Sequence, residues 1–186
     1  LKIGISGGIL LDEKMQETAS FGPLPTKINM LKFILRLLPP ITKMTANKTS
    51  FFKTNGYVEV GYVTGADMFL SKSTFNKIGG FDSNIFMYYE ETDLQLRLKR
   101  ANYYNYIIAG TQTIHLEGAS FGSVKKNNVK RIMVVKSMFY YFRKHSIYFN
   151  FLIFKILFLI IRLPTIFDQG YSWKEKKEYF LQIIKS

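Results

Sequence analysis

Apolar and polar positions alternate at period two over Lys2 to Leu11, where Ile3, Ile5, Ile9 and Leu10 surround Gly7-Gly8. That pattern predicts a strand ending in a glycine-bearing turn. A loop follows from Asp12 to Pro25, broken most clearly at Gly22-Pro23. Thr26 can cap a helix over 27–38 that Pro39-Pro40 stops. Asn55-Gly56 marks a turn before a strand over 57–64, which Gly65-Ala66 ends. Ser71 caps a short helix over 72–78, closed by Gly79-Gly80. A helix over 90–101 carries an inward stripe of Leu94, Leu98 and Ala101. Two short strands are expected near 104–109 and 111–116. Beyond the turn Gly118 to Ser123 the periodicity becomes helical, with segments near 126–145, 148–163 and 173–185. The fold class is therefore α/β, and a domain boundary falls near Gly122: a mixed α/β part over 1–122, then a basic, aromatic helical region over 123–186.

Composition narrows what such a chain can do. The 186 residues are 47% hydrophobic, which is enough for a core and excludes a disordered chain. Lys and Arg number 26 against 13 acids, a formal charge of +13, so anionic lipid, polyphosphate or nucleic acid are the partners that the field favours. The absence of cysteine excludes disulfides and thiolate metal sites and suits a reducing compartment. The chain opens at Leu1-Lys2-Ile3 with no methionine, already inside a strand pattern, as the carboxy-terminal part of a longer protein would.

Chemistry concentrates at Glu90, Glu91 and Asp93, three carboxylates in four positions after Tyr88-Tyr89. On a wheel of about 100° per residue, Glu90 and Glu91 flank the inward stripe, while Asp93 lies to one side, four residues before Arg97. The plain structural readings are a surface Asp93–Arg97 pair and acids that complement a helix N-terminus. The chemical reading is a general base. Glu91 is the better placed of the pair, because a cleft would desolvate it.

Val63-Thr64-Gly65-Ala66, Gly79-Gly80-Phe81-Asp82, Phe86-Met87-Tyr88-Tyr89-Glu90-Glu91-Thr92-Asp93-Leu94, Arg97 and His115 together resemble the acceptor half of family-two inverting nucleotide-sugar glycosyltransferases, most closely the rhamnosyltransferase-like branch. The resemblance covers most of 2–122. It implies a partial GT-A-type, Rossmann-like domain that lacks its N-terminal nucleotide-binding half. Such an enzyme passes a sugar such as rhamnose, with inversion, from a nucleotide-diphosphate donor to a hydroxyl of a glycan or lipid-linked glycan in cell-envelope polysaccharide synthesis. Glu91 stands where the family usually has Asp and would be the base. Glu90, Asp93, Gly65, Ala66 and Asp67 would contact the acceptor, with Asp93 and Arg97 also bracing the helix. His115 and Ser120 would face the donor, and His115 would join a divalent metal, Mg or Mn. The family's Asp-x-Asp metal motif is missing from these residues, so most metal ligands would come from the preceding half. This stretch alone would then turn over little or nothing.

Read from its residues alone, His115 follows Thr111 and Thr113 at period two, and a lone strand histidine is more often a surface residue than a ligand. The loop Gly118 to Gly122 fits either an ordinary turn or a flap over the donor. In the tail, Asn150 to Leu163 is apolar except for Lys155 and Arg162, which share one helix face. At 14 residues the run is shorter than a bilayer needs, which favours an in-plane interfacial helix over a core helix or a tilted span. The expected cationic stripe would face headgroups, continued by Lys125, Lys126, Lys130, Arg131, Lys136, Arg143 and Lys144. That places the protein peripherally on the cytoplasmic face of the plasma membrane. A non-catalytic membrane-surface or polyanion-binding module is the rival reading. Nucleic acid fits less well, because the aromatics cluster in apolar helical runs and do not alternate on a strand platform.

Overall fold

The structure, a computed structural model, describes residues 2–25, 56–116 and 127–186. The expectations for Thr26, the helix over 27–38, Asn55, the loop 118–122 with Ser120, Lys125 and Lys126 lie outside those residues. The described chain forms two compact units, the first from 1–24, 48–84 and 90–123 and the second from 25–47, 85–89 and 124–186.

The first unit is mixed α/β, with a sheet containing a parallel pair, and is compatible with a Rossmann-like arrangement. Its elements are β1 (Ile3–Leu11), β2 (Phe21–Gly22), β3 (Tyr57–Val60), β4 (Tyr62–Val63), α1 (Lys72–Ile78), α2 (Glu90–Arg100) and β5 (Tyr104–Ile114). Three strands pair in the order β1-β5-β3, with β1 and β5 parallel and β3 antiparallel to β5. A parallel pair needs a crossover, and the chain between β1 and β5 includes α1 and α2. Ile5, Ile9, Leu11, Val63, Leu94, Leu98 and Ile107 form the core, so the inward stripe of α2 meets the buried face of β1.

Three strand expectations change, each for a backbone reason. Gly7-Gly8 does not end β1, which runs through to Leu11. The glycines instead allow close approach: a Cβ on Gly7 would lie 2.4 Å from the Asp67 carbonyl oxygen. The single strand expected over 57–64 is split at Gly61, β3 joining one sheet and β4 pairing with β2 in another. A Cβ on Gly61 would lie 2.4 Å from the Leu24 backbone nitrogen, so a chain crossing holds that break. The two strands expected around Gly110 are one, β5, with a bulge. Between paired positions, Gly7 to Ile9 on β1 faces Ile107 to Gln112 on β5. Gly110 takes up the excess at φ 85°, and the Thr111 hydroxyl donates to the Ile108 carbonyl at 2.8 Å.

In the second unit, α3 (Asn128–His145), α4 (Tyr148–Arg162) and α5 (Trp173–Lys185) pack around an aromatic core. The Phe139 ring meets Phe151, Phe154 and Phe158 in edge-on contacts of 5.2–5.9 Å, and Tyr141 and Tyr179 are buried. Asn127 caps α3, and Ser172 with Glu175 forms a capping box on α5. The expected cationic stripe of α4 does not face outward. Lys155 and Arg162 do share a face, but it is the face of Phe151, Phe154 and Phe158, which points into the bundle. The Lys155 ammonium donates to the Ile184 carbonyl at 2.9 Å, and the Arg162 guanidinium lies 5.3 Å from the Phe158 ring. Helical turns also continue past Arg162 through Leu163–Phe167, lengthening the apolar segment to 20 residues.

Candidate active site

The site is built where α2 begins. Tyr88 and Tyr89 both sit in the left-handed region, at φ 64° and 70°. Side chains adopt that conformation at a cost of roughly 1–2 kcal/mol each, and such strain clusters at functional sites. From there α2 starts with Glu90 and Glu91, whose Oε2 atoms are buried and have no hydrogen-bond partner. Burial pushes the Glu91 carboxyl up to about 7, the charge of Glu90 adds to the rise, and the N–H groups of Glu91 and Thr92 pull it partly back. Glu90 is raised as well, mainly by burial. A carboxylate that costs this much to ionise is unusual in a surface helix start.

Gly65 lies over Glu91. An ideal Cβ on Gly65 would sit 3.7 Å from the Cβ and Cγ of Glu91, in ordinary contact, and Gly65 and Ala66 are exposed. The Gly65–Asp67 turn is fixed from two sides. Asp67 Oδ2 accepts the Gly8 N–H at 2.7 Å, and the amide of Gln95 clamps Val63, accepting from its N–H at 2.6 Å and donating to its carbonyl at 2.8 Å. Gln95 is fully buried on α2, one turn beyond Glu91, so it registers the turn against the helix that carries the carboxylates. Tyr62 is adjacent: burial and the charge of Glu91 raise its phenol. Sequence reasoning passed over both Tyr62 and Gln95. The signal for Gln95 was a polar residue beside Leu94 on an otherwise core-facing arc.

Asp93 has a different place from the surface pair expected for it. Its side chain is fully buried and accepts from Arg97 Nε and Nη2 at 2.8 Å. Nη1 donates to the Ile78 carbonyl at 2.7 Å, and Nη2 also donates to the Gly80 carbonyl at 2.6 Å. Those carbonyls belong to the turn closing α1, where Gly79 and Gly80 have φ of 86° and 67° and their N–H groups return to Asn76 and Phe75. Asp82 folds its own turn by accepting from Asn84. The Gly-Gly-Phe-Asp segment and the Asp93–Arg97 pair thus form one brace beneath α2.

His115 lies just past the end of β5. Its N–H donates to the Leu11 carbonyl at 2.8 Å, and the residue is exposed. The site therefore brings together Glu90, Glu91 and Gly65, with Asp67 tied to it through Gly8. Among the described residues no group of three or more His, Asp or Glu side chains could hold a metal ion. One imidazole makes no metal site, so the described residues do not fit a divalent ion by themselves.

The first unit thus holds a desolvated carboxylate pair beside a glycine turn, and a carboxylate raised this far can take up a proton at neutral pH. Over 63 residues the chain is 33% identical to N-acetylglucosaminyl-diphospho-decaprenol L-rhamnosyltransferase from two strains of Mycobacterium tuberculosis. That stretch is 34% of this chain and spans 20% of the relative's length. The likeness supports a glycosyltransferase-like relationship. No family model matches the chain.

Proposed function

We propose that the chain carries the acceptor-side, base-bearing part of an inverting GT-A glycosyltransferase. It would act on a nucleotide-diphosphate sugar, rhamnose being the sugar named for the relative, and on a hydroxyl of a lipid-linked glycan in envelope polysaccharide synthesis. The observation that carries the reading is the Glu91 carboxyl: half-buried, raised to about 7, without a partner for Oε2, and under Gly65. A base of that basicity is matched to a neutral working pH.

In the step itself Glu91 takes the proton of the acceptor hydroxyl. The freed oxygen lone pair forms the new bond to the anomeric carbon, while the carbon–oxygen bond to the diphosphate breaks and its electrons leave with the nucleotide. Attack from the face opposite the diphosphate inverts the centre. Glu90, one residue earlier and also raised, would hold acceptor hydroxyls and keep Glu91 basic through its charge. Asp93 and Arg97 hold the helix and Asp67 holds the turn. A divalent ion, with His115 as one ligand, needs oxygen ligands from beyond the described residues, and no step here depends on it.

Because the base must be ionised to act, transfer by the full-length enzyme rises with pH through about 7 and levels off above it. Glu90→Gln removes the neighbouring charge and moves that midpoint to lower pH. A profile flat between pH values of about 5.5 and 8, or unmoved by Glu90→Gln, contradicts the assignment.

A further inference from the structure

The outward side of α4 has no partner among the described residues. Phe149, Leu152, Ile153, Ile156, Ile160 and Leu163 are 41–67% exposed and form one unbroken apolar arc. The cations that would interrupt such an arc, Lys155 and Arg162, are turned the other way, into the bundle. At the start of the helix, Arg143 and Lys144 are exposed beside exposed Ile147 and Tyr148. Over 127–186 eleven Lys and Arg stand against three acids.

We propose that this face of α4 lies in the plane of an anionic lipid bilayer, its apolar arc at the acyl boundary and the flanking cations among the headgroups. Charge complementarity selects the occupant: a second copy of so basic a unit would bring like charges together, whereas an anionic surface gains about fivefold in affinity per nearby cation. By length and composition alone, the 20 residues Tyr148–Phe167 would also suffice to cross a membrane. The packing argues for the in-plane arrangement. A spanning α4 would abandon the contacts of Phe151, Phe154 and Phe158, and would carry Lys155 and Arg162 into hydrocarbon, each disfavoured on the order of 100-fold. The proposal rests on the second unit and not on the sugar-transfer reading.

The test is co-sedimentation of the 186-residue chain with vesicles of phosphatidylcholine containing about 30% phosphatidylglycerol, beside pure phosphatidylcholine. The chain pellets with the acidic vesicles, weakly with the neutral ones, and less as salt rises. The double variant Ile153→Ser/Ile156→Ser, whose sites are exposed, keeps the circular-dichroism spectrum and loses binding by about 100-fold. Three results overturn the proposal. The chain stays in the supernatant with acidic vesicles; binding is unchanged in the double variant; or the chain is a dimer in solution that the substitutions split, with no vesicle binding.

Discussion

On the proposed role as base, replacing Glu91 by Gln in the full-length protein lowers sugar transfer by roughly 100- to 10,000-fold and leaves donor affinity nearly unchanged. The amide keeps the size and shape of the side chain but cannot accept the proton of a hydroxyl nucleophile. The same substitution has the opposite effect on stability. The folded carboxyl is raised from 4.5 to about 7. A raised acid binds its proton more tightly folded than unfolded, so stability falls as pH rises through that window. Above it, keeping Glu91 ionised costs about 3 kcal/mol. Gln removes that cost, so the variant melts higher than the parent at a pH near 8 and close to it near 4.5. Lost turnover together with a raised melting temperature at neutral pH separates a missing base from a damaged fold. Turnover retained within about tenfold would place the base elsewhere.

The second large effect belongs to Arg97. Its guanidinium bonds Asp93 and two carbonyls of the glycine turn at once, and Asp93 has no exposed surface. Arg97→Ala takes the guanidinium away from a buried carboxylate and from two carbonyls of the glycine turn, a loss of about 3–5 kcal/mol, which is much of the stability of an ordinary domain. Arg97→Lys keeps the charge without the planar fork and recovers only part of it. Urea unfolding of both variants checks this. A loss below about 1 kcal/mol for Arg97→Ala would mean that the turn and α2 hold each other by apolar packing alone.

The helices were the most legible part of the sequence, because their signals are local. Ser71 and Gly79 mark both ends of α1, and the helical segments expected near 126–145, 148–163 and 173–185 lie close to α3, α4 and α5. The strands were less legible, because their ends depend on distant backbone. Nothing near Gly61 tells that Leu24 crosses it, and nothing near Gly110 tells that β1 and β5 differ in length between paired positions.

At the site, the paired acids were readable from the cluster itself, whereas Gly65 entered only through the family resemblance. Two things were not. Asp93 seemed a surface residue on the wheel, because the carbonyls of Ile78 and Gly80 that bury its partner come from another helix. On α4 the shared face of Lys155 and Arg162 was read correctly, but its direction was not. Phe151, Phe154 and Phe158 lie on that same face, and packing their rings against Phe139 gains more than sending two cations to water.

The most direct measurement is a carbon-13 NMR titration of the Glu91 carboxyl in the 186-residue chain, with Glu91→Gln identifying the resonance. An inflection near pH 7 that falls in Glu90→Gln agrees with a desolvated base poised for a hydroxyl. An inflection at about 4.3, the ordinary value for a solvated glutamate, contradicts it.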